Sequence, residues 1–543
     1  MMRKTGKEGQ DTLLKNGLIV DGTGGKPYEG SLLIKAGRIA RISRRQIRTA
    51  GVTIDCAGKV IAPGFIDVHS HLDWHLPLKG HDELKYPFLA QGITTVVAGN
   101  CGFSVAGFRE NSTWRARVAD TIVNNGLLSL EWDTVAELFE RLSSSGTSAN
   151  LALLAGHGTA RRSIRGDDPS PLHPYESKEL FRLLETAMDQ GARGVSLGLQ
   201  YEPGIYARPE ELKEIALLVK GKGKILAVHA RAYSAIAPGY PLRLFGEAHN
   251  LIALRELLDL ARRTGVRLQI SHLIFVGTRT WRTADAALAL IDRAIADGVD
   301  VRFDTYPFHC GASNIAVVLP AWFLARGPGA YDHGPSVRRL RREIRLVERL
   351  LGFGFGDVQV TNTVDPDLQE HNGRFLPEIA RQRRMSPLDA LVDIARRSGG
   401  RARVLLHRYS NERIVEALVR HPASLFMTDA WVERSGVQNP AAYGAFPRVL
   451  QLAREKGLLT LEETVRRMTG AAAERFGIGD RGVLRERLAA DITVFDWQGV
   501  RDATTLTDTD APPAGIEYVF VNGRKIIGSG RRESTLNAGI PLD

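Results

Sequence analysis

Cysteine is scarce: Cys56, Cys101 and Cys310 are the only three in 543 residues. Three thiols cannot form a disulfide framework, and they suit a reducing compartment. Long apolar runs are missing too. The longest uncharged stretch, between Asp304 and Arg326, holds two prolines, a His, an Asn and a Ser, so it reads as strand, loop and helix start and not as a membrane span. The opening MMRKTGKEGQDTLLKNG is basic but lacks the apolar core of a secretory signal. A cytoplasmic protein with no membrane contact is therefore expected. Negative charge is the minority sign, with 61 acidic against 72 basic residues and a net charge of +11. The basic residues, mostly Arg, are scattered beside acidic ones, as in RREIRLVERL at 341–350, and no stripe of aromatics accompanies them. That pattern reads as a solvated surface and not as a nucleic-acid face. No internal repeat or low-complexity segment is present.

What remains is ordinary for a globular protein, with 43% hydrophobic and 24% charged residues. The length calls for several domains or one large barrel with additions. Residues 12–62 alternate short apolar runs with glycine turns, in LLKNGLIVDG, GSLLIKAGRIARIS and VTIDCAGKVIAPG, which predicts strands. The stretch 483–532 has the same character, with ADITVFDW and GIEYVFVNGRKIIGSG, where Asn522-Gly523 is a strong hairpin signal. The two ends are expected to pair into a small β-sandwich domain, 1–62 supplying one part and 481–543 the other. Between them, ITTVVAGN, LALLAGHG, ARGVSLGL, KILAVHA, VRLQISHL and VRFDTYPF alternate with amphipathic stretches such as PEELKEIALLVKGKG and TADAALALIDRAIADG. Repeated strand–helix units imply a parallel sheet. Over 63–480 the expectation is an α/β fold, a closed (β/α)8 barrel of the TIM type with an insertion near 330–400.

Barrel active sites gather at the C-terminal ends of the strands, so chemistry is sought just past the apolar runs. PGFIDVHSHLD presents His69 and His71 one residue apart, a spacing that puts both imidazoles on one face of a strand. A bare His-x-His is a weak sign, sharpened here by the preceding Pro-Gly-Phe-Ile-Asp. TTVVAGNCGFS then presents Cys101, KILAVHARAY His229, VRLQISHLIF His272 and SLFMTDAW Asp429. Each alone reads as a buried hydrophobe, a satisfied strand histidine or a helix cap. Six together, at strand ends and in barrel order, point to a metal. Thiolate, imidazole and carboxylate suit zinc.

With PGFIDVHSHLD, the Asn-Cys-Gly around Cys101, GARGVSLGLQYEPG, DTYPF and YGAFPRVLQLAREKGLLTLEETVRRMTGAAAERFGIGDRG, nearly the whole chain resembles the N-acyl-D-amino-acid deacylase (D-aminoacylase) branch of the amidohydrolase superfamily. The resemblance implies a zinc hydrolase of a linear amide in a small-molecule substrate. It implies a tight zinc on Cys101, His229 and His272 and a second, weaker site on His69, His71 and Asp429. Asp429 takes the place of the general base and Tyr201 that of the residue polarising the scissile carbonyl. It also marks two departures. Where the family holds the substrate carboxylate with a Lys and an Arg, this chain has Ile274 and Ala441, while Tyr306 and Ser313 keep the uncharged contacts and Arg434 stands nearby. A buried carboxylate without a cation carries a desolvation cost, so a neutral or apolar group is expected there. His157 is a candidate pocket residue; His75, His309 and His407 are expected to be structural or surface residues. Two other readings remain: a cyclic amide, imide or carbamate hydrolase on the same metals, and a non-catalytic scaffold, which the retention of all six ligands disfavours. A homo-oligomer is compatible with the sequence.

Overall fold

The computed structural model describes residues 11–120, 126–237, 240, 246–324, 326–533 and 536–543. Eight short parallel strands form its centre: Phe65–Asp67, Ile93–Ala98, Asn150–Leu153 with its continuation Ala155–Gly156, Gly194–Gly198, Ile225–His229, Arg267–Ile270, Val301–Thr305 and Ser424–Phe426. They are mostly apolar and almost wholly buried, as a parallel sheet sheathed by helices requires. Neighbours pair in sequence, and Val301–Thr305 pairs with Ser424–Phe426 across the longest connection. The ring closes between last and first strands through Val68 N to Phe426 O (3.4 Å), Asp429 N to His69 O (2.9 Å) and His71 N to Ala430 O (3.1 Å). Helices such as Pro209–Gly221 cover the outside. A proline opens that helix, and Leu212, Ile215, Ala216 and Val219 make its buried stripe. This is a (β/α)8 barrel.

Both ends of the chain build one nine-stranded sheet beside it. Strand Val60–Pro63 is its hinge, pairing in parallel with Thr12–Ile19 and antiparallel with Ile492–Phe495. The sheet curls back on itself: Ile39 N bonds Leu488 O (3.0 Å) and Arg487 N bonds Ile39 O (2.8 Å). Leu14, Ile19, Leu32, Ile61, Ile492, Val494 and Phe520 fill the space enclosed. The insertion between the last two barrel strands is wider than its sequence limits. It begins at strand Gly311–Asn314, which pairs with Arg403–Leu406, itself paired with Val358–Asn362. Helices Gly334–Leu351, Leu376–Gln382 and Pro387–Arg397 pack on this small sheet around their own core. No described helix is long and apolar enough to cross a membrane.

Candidate metal centre

The six residues converge at the C-terminal ends of the barrel strands. One ligand atom each from His69, Cys101, His272 and Asp429 lies within 4.8 Å of all the others. The Cys101 Sγ is 3.3 Å from His69 Nε2, 3.5 Å from His272 Nε2 and 3.6 Å from His229 Nδ1. Asp429 Oδ1 is 3.4 Å from both His69 Nε2 and His71 Nε2. Backbone conformation turns three of these side chains inward. Cys101, His272 and Asp429 follow their strands with φ of 56°, 32° and 47°, a left-handed region that residues with a Cβ seldom adopt. Such strain clusters at functional sites.

Buried polar partners fix the arrangement. Asp304, 1% exposed, accepts from the His272 backbone N–H at 2.6 Å and faces His69 Nδ1 at 3.3 Å. Gln200 Oε1 lies 2.9 Å from His229 Nε2, leaving Nδ1 for the centre. Asp67 accepts from Thr428 N (3.0 Å) and Oγ1 (2.6 Å), joining the first strand to the last just before Asp429. The Tyr233 ring packs against both His229 and His272, each 4.9 Å away. Its hydroxyl accepts from Ala230 N and donates to Ser271 O. None of these four was singled out from the sequence. Asp67 had a signal, a carboxylate closing an otherwise apolar strand, while Asp304 and Gln200 lie in the quoted motifs DTYPF and GLQYEPG; Tyr233 had none.

The electrostatics are those of a cation site. Burial opposes ionisation of Cys101, but the His69 and His272 imidazoles outweigh it and hold the thiol well below its usual range. Burial is likewise overcome at Asp429, where His272 and His69 keep the carboxyl below its ordinary value. Burial first, and His272 second, hold His229 down at about 4, so it stays neutral. A thiolate, a carboxylate and imidazole nitrogens facing one another in a buried space match the donor set of zinc. The residues present fit the metal.

Tyr201 stands beside this cluster, its ring 4.8 Å from that of His229 and its hydroxyl donating to the Cys101 carbonyl at 2.8 Å. Burial, with Cys101 adding to it, pushes its pKa well above the usual value, so it remains a donor. Tyr306 is buried with its hydroxyl unpaired among the described residues. Burial, with the charge of Asp429 adding to it, pushes its pKa well above the usual value, so it stays protonated. Ile274 is half-buried. Ala441 is 1% exposed at the first position of helix Ala441–Lys456, its carbonyl facing Gln91 Nε2. Ser313 lies half-buried on the first strand of the insertion. Arg434 is exposed and lines a surface cavity of about 310 Å³ with His81, Glu83 and Tyr443. His157 is fully buried and pairs through Nε2 with Glu211 at 2.7 Å, where Arg161 also binds. His75 is buried, and His407 pairs with Gln359 inside the insertion.

Comparison with known proteins agrees with this geometry. The model of the Amidohydrolase family matches residues 52–219 and 369–527. An N-acyl-D-glutamate deacylase from Alcaligenes xylosoxydans xylosoxydans is 32% identical over 95% of this chain and 93% of its own. A D-aminoacylase of the same organism is 29% identical over 95% of this chain and 94% of its own. The crystal structure of an N-acyl-D-glutamate deacylase from Bordetella bronchiseptica, complexed with zinc and a phosphonate mimic of the tetrahedral intermediate, is 28% identical. It superposes with a TM-score of 0.78 over 98% of this chain and 99% of that one. By fold, ligand geometry and sequence, the chain belongs to the amidohydrolase family, in its D-aminoacylase-like branch.

Proposed function

We propose that this protein is a zinc-dependent hydrolase of a linear carbon–nitrogen amide bond in a small molecule, with a neutral or apolar group where its relatives hold a carboxylate. The observation that carries the reading is the convergence of Cys101, His69, His71, His229, His272 and Asp429 at one end of the barrel. Cys101, His229 and His272 would hold the tighter zinc, and His69, His71 and Asp429 the weaker one. Zinc bound there lowers the pKa of water toward about 7 and polarises a carbonyl. The chain's own groups do the rest. Asp429 is ionised, and its side chain is 19% exposed against 0% for His69, so its carboxylate is accessible from outside the cluster. It takes a proton from the attacking water and delivers it to the leaving nitrogen, which an amide requires because an amine anion departs badly. Tyr201 exchanges the Cys101 carbonyl for that of the substrate and donates to the developing oxyanion. Tyr306 offers its unpaired hydroxyl, and Ser313 and Ile274 complete the substituent site.

The division of labour follows the chain: residues 63–480 carry the chemistry, and the described parts of 1–62 and 481–543 form the satellite sheet, with residues 1–10 of that division lying outside the described residues. A linear amide is favoured over a cyclic one because the deacylases match nearly the full chain at 28–32% identity. The test is elemental analysis of purified protein followed by kcat/KM for an N-acyl-D-amino acid and its matched neutral amide. Bound zinc and preference for the neutral amide are expected. A tenfold preference for the free acid overturns the substituent reading, and absence of hydrolysis by zinc-loaded protein overturns the activity.

A further inference from the structure

Metal-binding imidazoles are usually aimed by a hydrogen bond to the ring nitrogen that does not face the metal. Asp304 stands in that place for His69 and Gln200 for His229. His71 has no such partner among the described residues, and neither has His272, whose Nδ1 is also buried and unpaired. The His71 Nε2 faces Asp429, and its Nδ1 is buried and unpaired among the described residues. Aromatic rings surround it instead. Trp74 lies 4.9 Å from the His71 ring, Trp431 meets it nearly edge-on at 5.8 Å, and the two indoles are 5.0 Å apart.

The indoles are pinned from the insertion. Arg403, on strand Arg403–Leu406, lies over Trp431 at 4.9 Å and Trp74 at 5.9 Å. It is 3% exposed. Its Nε is 3.0 Å from Glu433 Oε1, and its NH1 donates to Asn314 on the paired strand. The same Glu433 oxygen accepts from the Nε1 of Trp431, which lies two residues beyond Asp429. A chain of contacts thus runs from the insertion sheet through Arg403, Glu433 and Trp431 to His71.

We propose that Arg403 is a positioning residue that couples the seating of the insertion to the aim of His71, and so to the His69–His71–Asp429 half of the metal centre. The proposal rests on the metal-centre reading above. A planar guanidinium stacks on indole and binds Glu433 and Asn314 at once, whereas an ammonium cannot. Charge alone is therefore insufficient, and Arg403→Lys behaves as a loss.

The test is cobalt(II) titration of the full-length metal-free protein, followed by absorption, with His71→Ala as the reference for a lost His71. Arg403→Lys is expected to bind cobalt about tenfold more weakly, the scale on which supporting residues act. Its visible bands should shift toward those of His71→Ala, while the near-ultraviolet thiolate band from Cys101 stays at wild-type strength. Glu433→Gln is expected to do the same and carries the test if Arg403→Lys does not fold. Wild-type bands in a folded Arg403→Lys, or equal loss of visible and thiolate bands, overturn the coupling. If wild-type protein shows no thiolate band, or His71→Ala matches wild type, the metal-centre reading itself fails.

Discussion

Asp429 holds several duties at once: ligand, strand-end residue in a left-handed conformation, and ionised carboxylate beside three imidazoles. Asp429→Asn keeps the shape and removes the proton acceptor. Steady-state assay of that variant should show kcat reduced by about two to four orders of magnitude, the scale of a general base, with circular dichroism unchanged. Cys101 makes a separate prediction. Its thiolate is the donor at the centre of the cluster, so Cys101→Ala should lose most of the bound zinc by elemental analysis while remaining folded. The substituent site turns on Ile274. Ala441 is sealed under Gln91, so an arginine there would have to displace packed atoms, whereas the half-buried Ile274 leaves room for a longer side chain. Ile274→Lys should move kcat/KM toward N-acyl-D-amino acids by about one to two orders of magnitude, since one charge-assisted hydrogen bond contributes about 1.5–3 kcal/mol. An unchanged ratio of acid to neutral amide would place the specificity elsewhere.

Strand Gly194–Gly198 shows why small elements matter at the barrel rim. A Cβ on Gly198 would lie 2.3 Å from the Cys101 carbonyl oxygen and 2.7 Å from the Tyr201 hydroxyl, where backbone and a buried ring leave no room. Gly198→Ala should therefore cost about 1–3 kcal/mol, the usual range for overpacking, and lower kcat by displacing Tyr201. Urea denaturation and turnover check the two effects separately. The barrel strands were legible because most of their residues are apolar, and the ligands because they sit at or just past the strand ends. Asn522-Gly523 was legible for the same local reason: φ is positive at both residues, 46° and 76°, as a tight hairpin demands. The edges of the insertion were not. Its first strand, Gly311–Asn314, has no apolar alternation and becomes a strand only by pairing with residues about ninety positions later. The Arg403–Glu433–Trp431 contacts are illegible in the same way, because burying an arginine against indoles is a tertiary choice that no local pattern announces.

At the scale of the whole molecule, the catalytic barrel and the satellite sheet are welded where both chain ends meet. Asp491, just before strand Ile492–Phe495, is 3% exposed and binds Arg481, equally buried. Asp491 also accepts from the side-chain amide of Asn150 at 2.8 Å and from the backbone of Asn522 at 2.6 Å. Asn150 opens the third barrel strand, so this network ties the N-terminal end of the barrel to the satellite sheet. The metal centre occupies the opposite end of the strands. The two regions should therefore separate experimentally. Arg481→Met leaves the buried Asp491 carboxylate without its cation, which costs about 3–5 kcal/mol, whereas Asp491→Asn costs less because Arg481 keeps its two-bond pair with Asp480. In a double-mutant cycle by urea denaturation, the combined variant should lose less than the sum of the two singles, because the buried Asp491 carboxylate is unfavourable only when Arg481 is missing. The fraction that remains folded should keep wild-type zinc content and kcat/KM. A loss of zinc or turnover in folded Arg481→Met protein would show that the weld reaches the catalytic end, and strictly additive losses would show that the pair is not the unit that holds the two parts together.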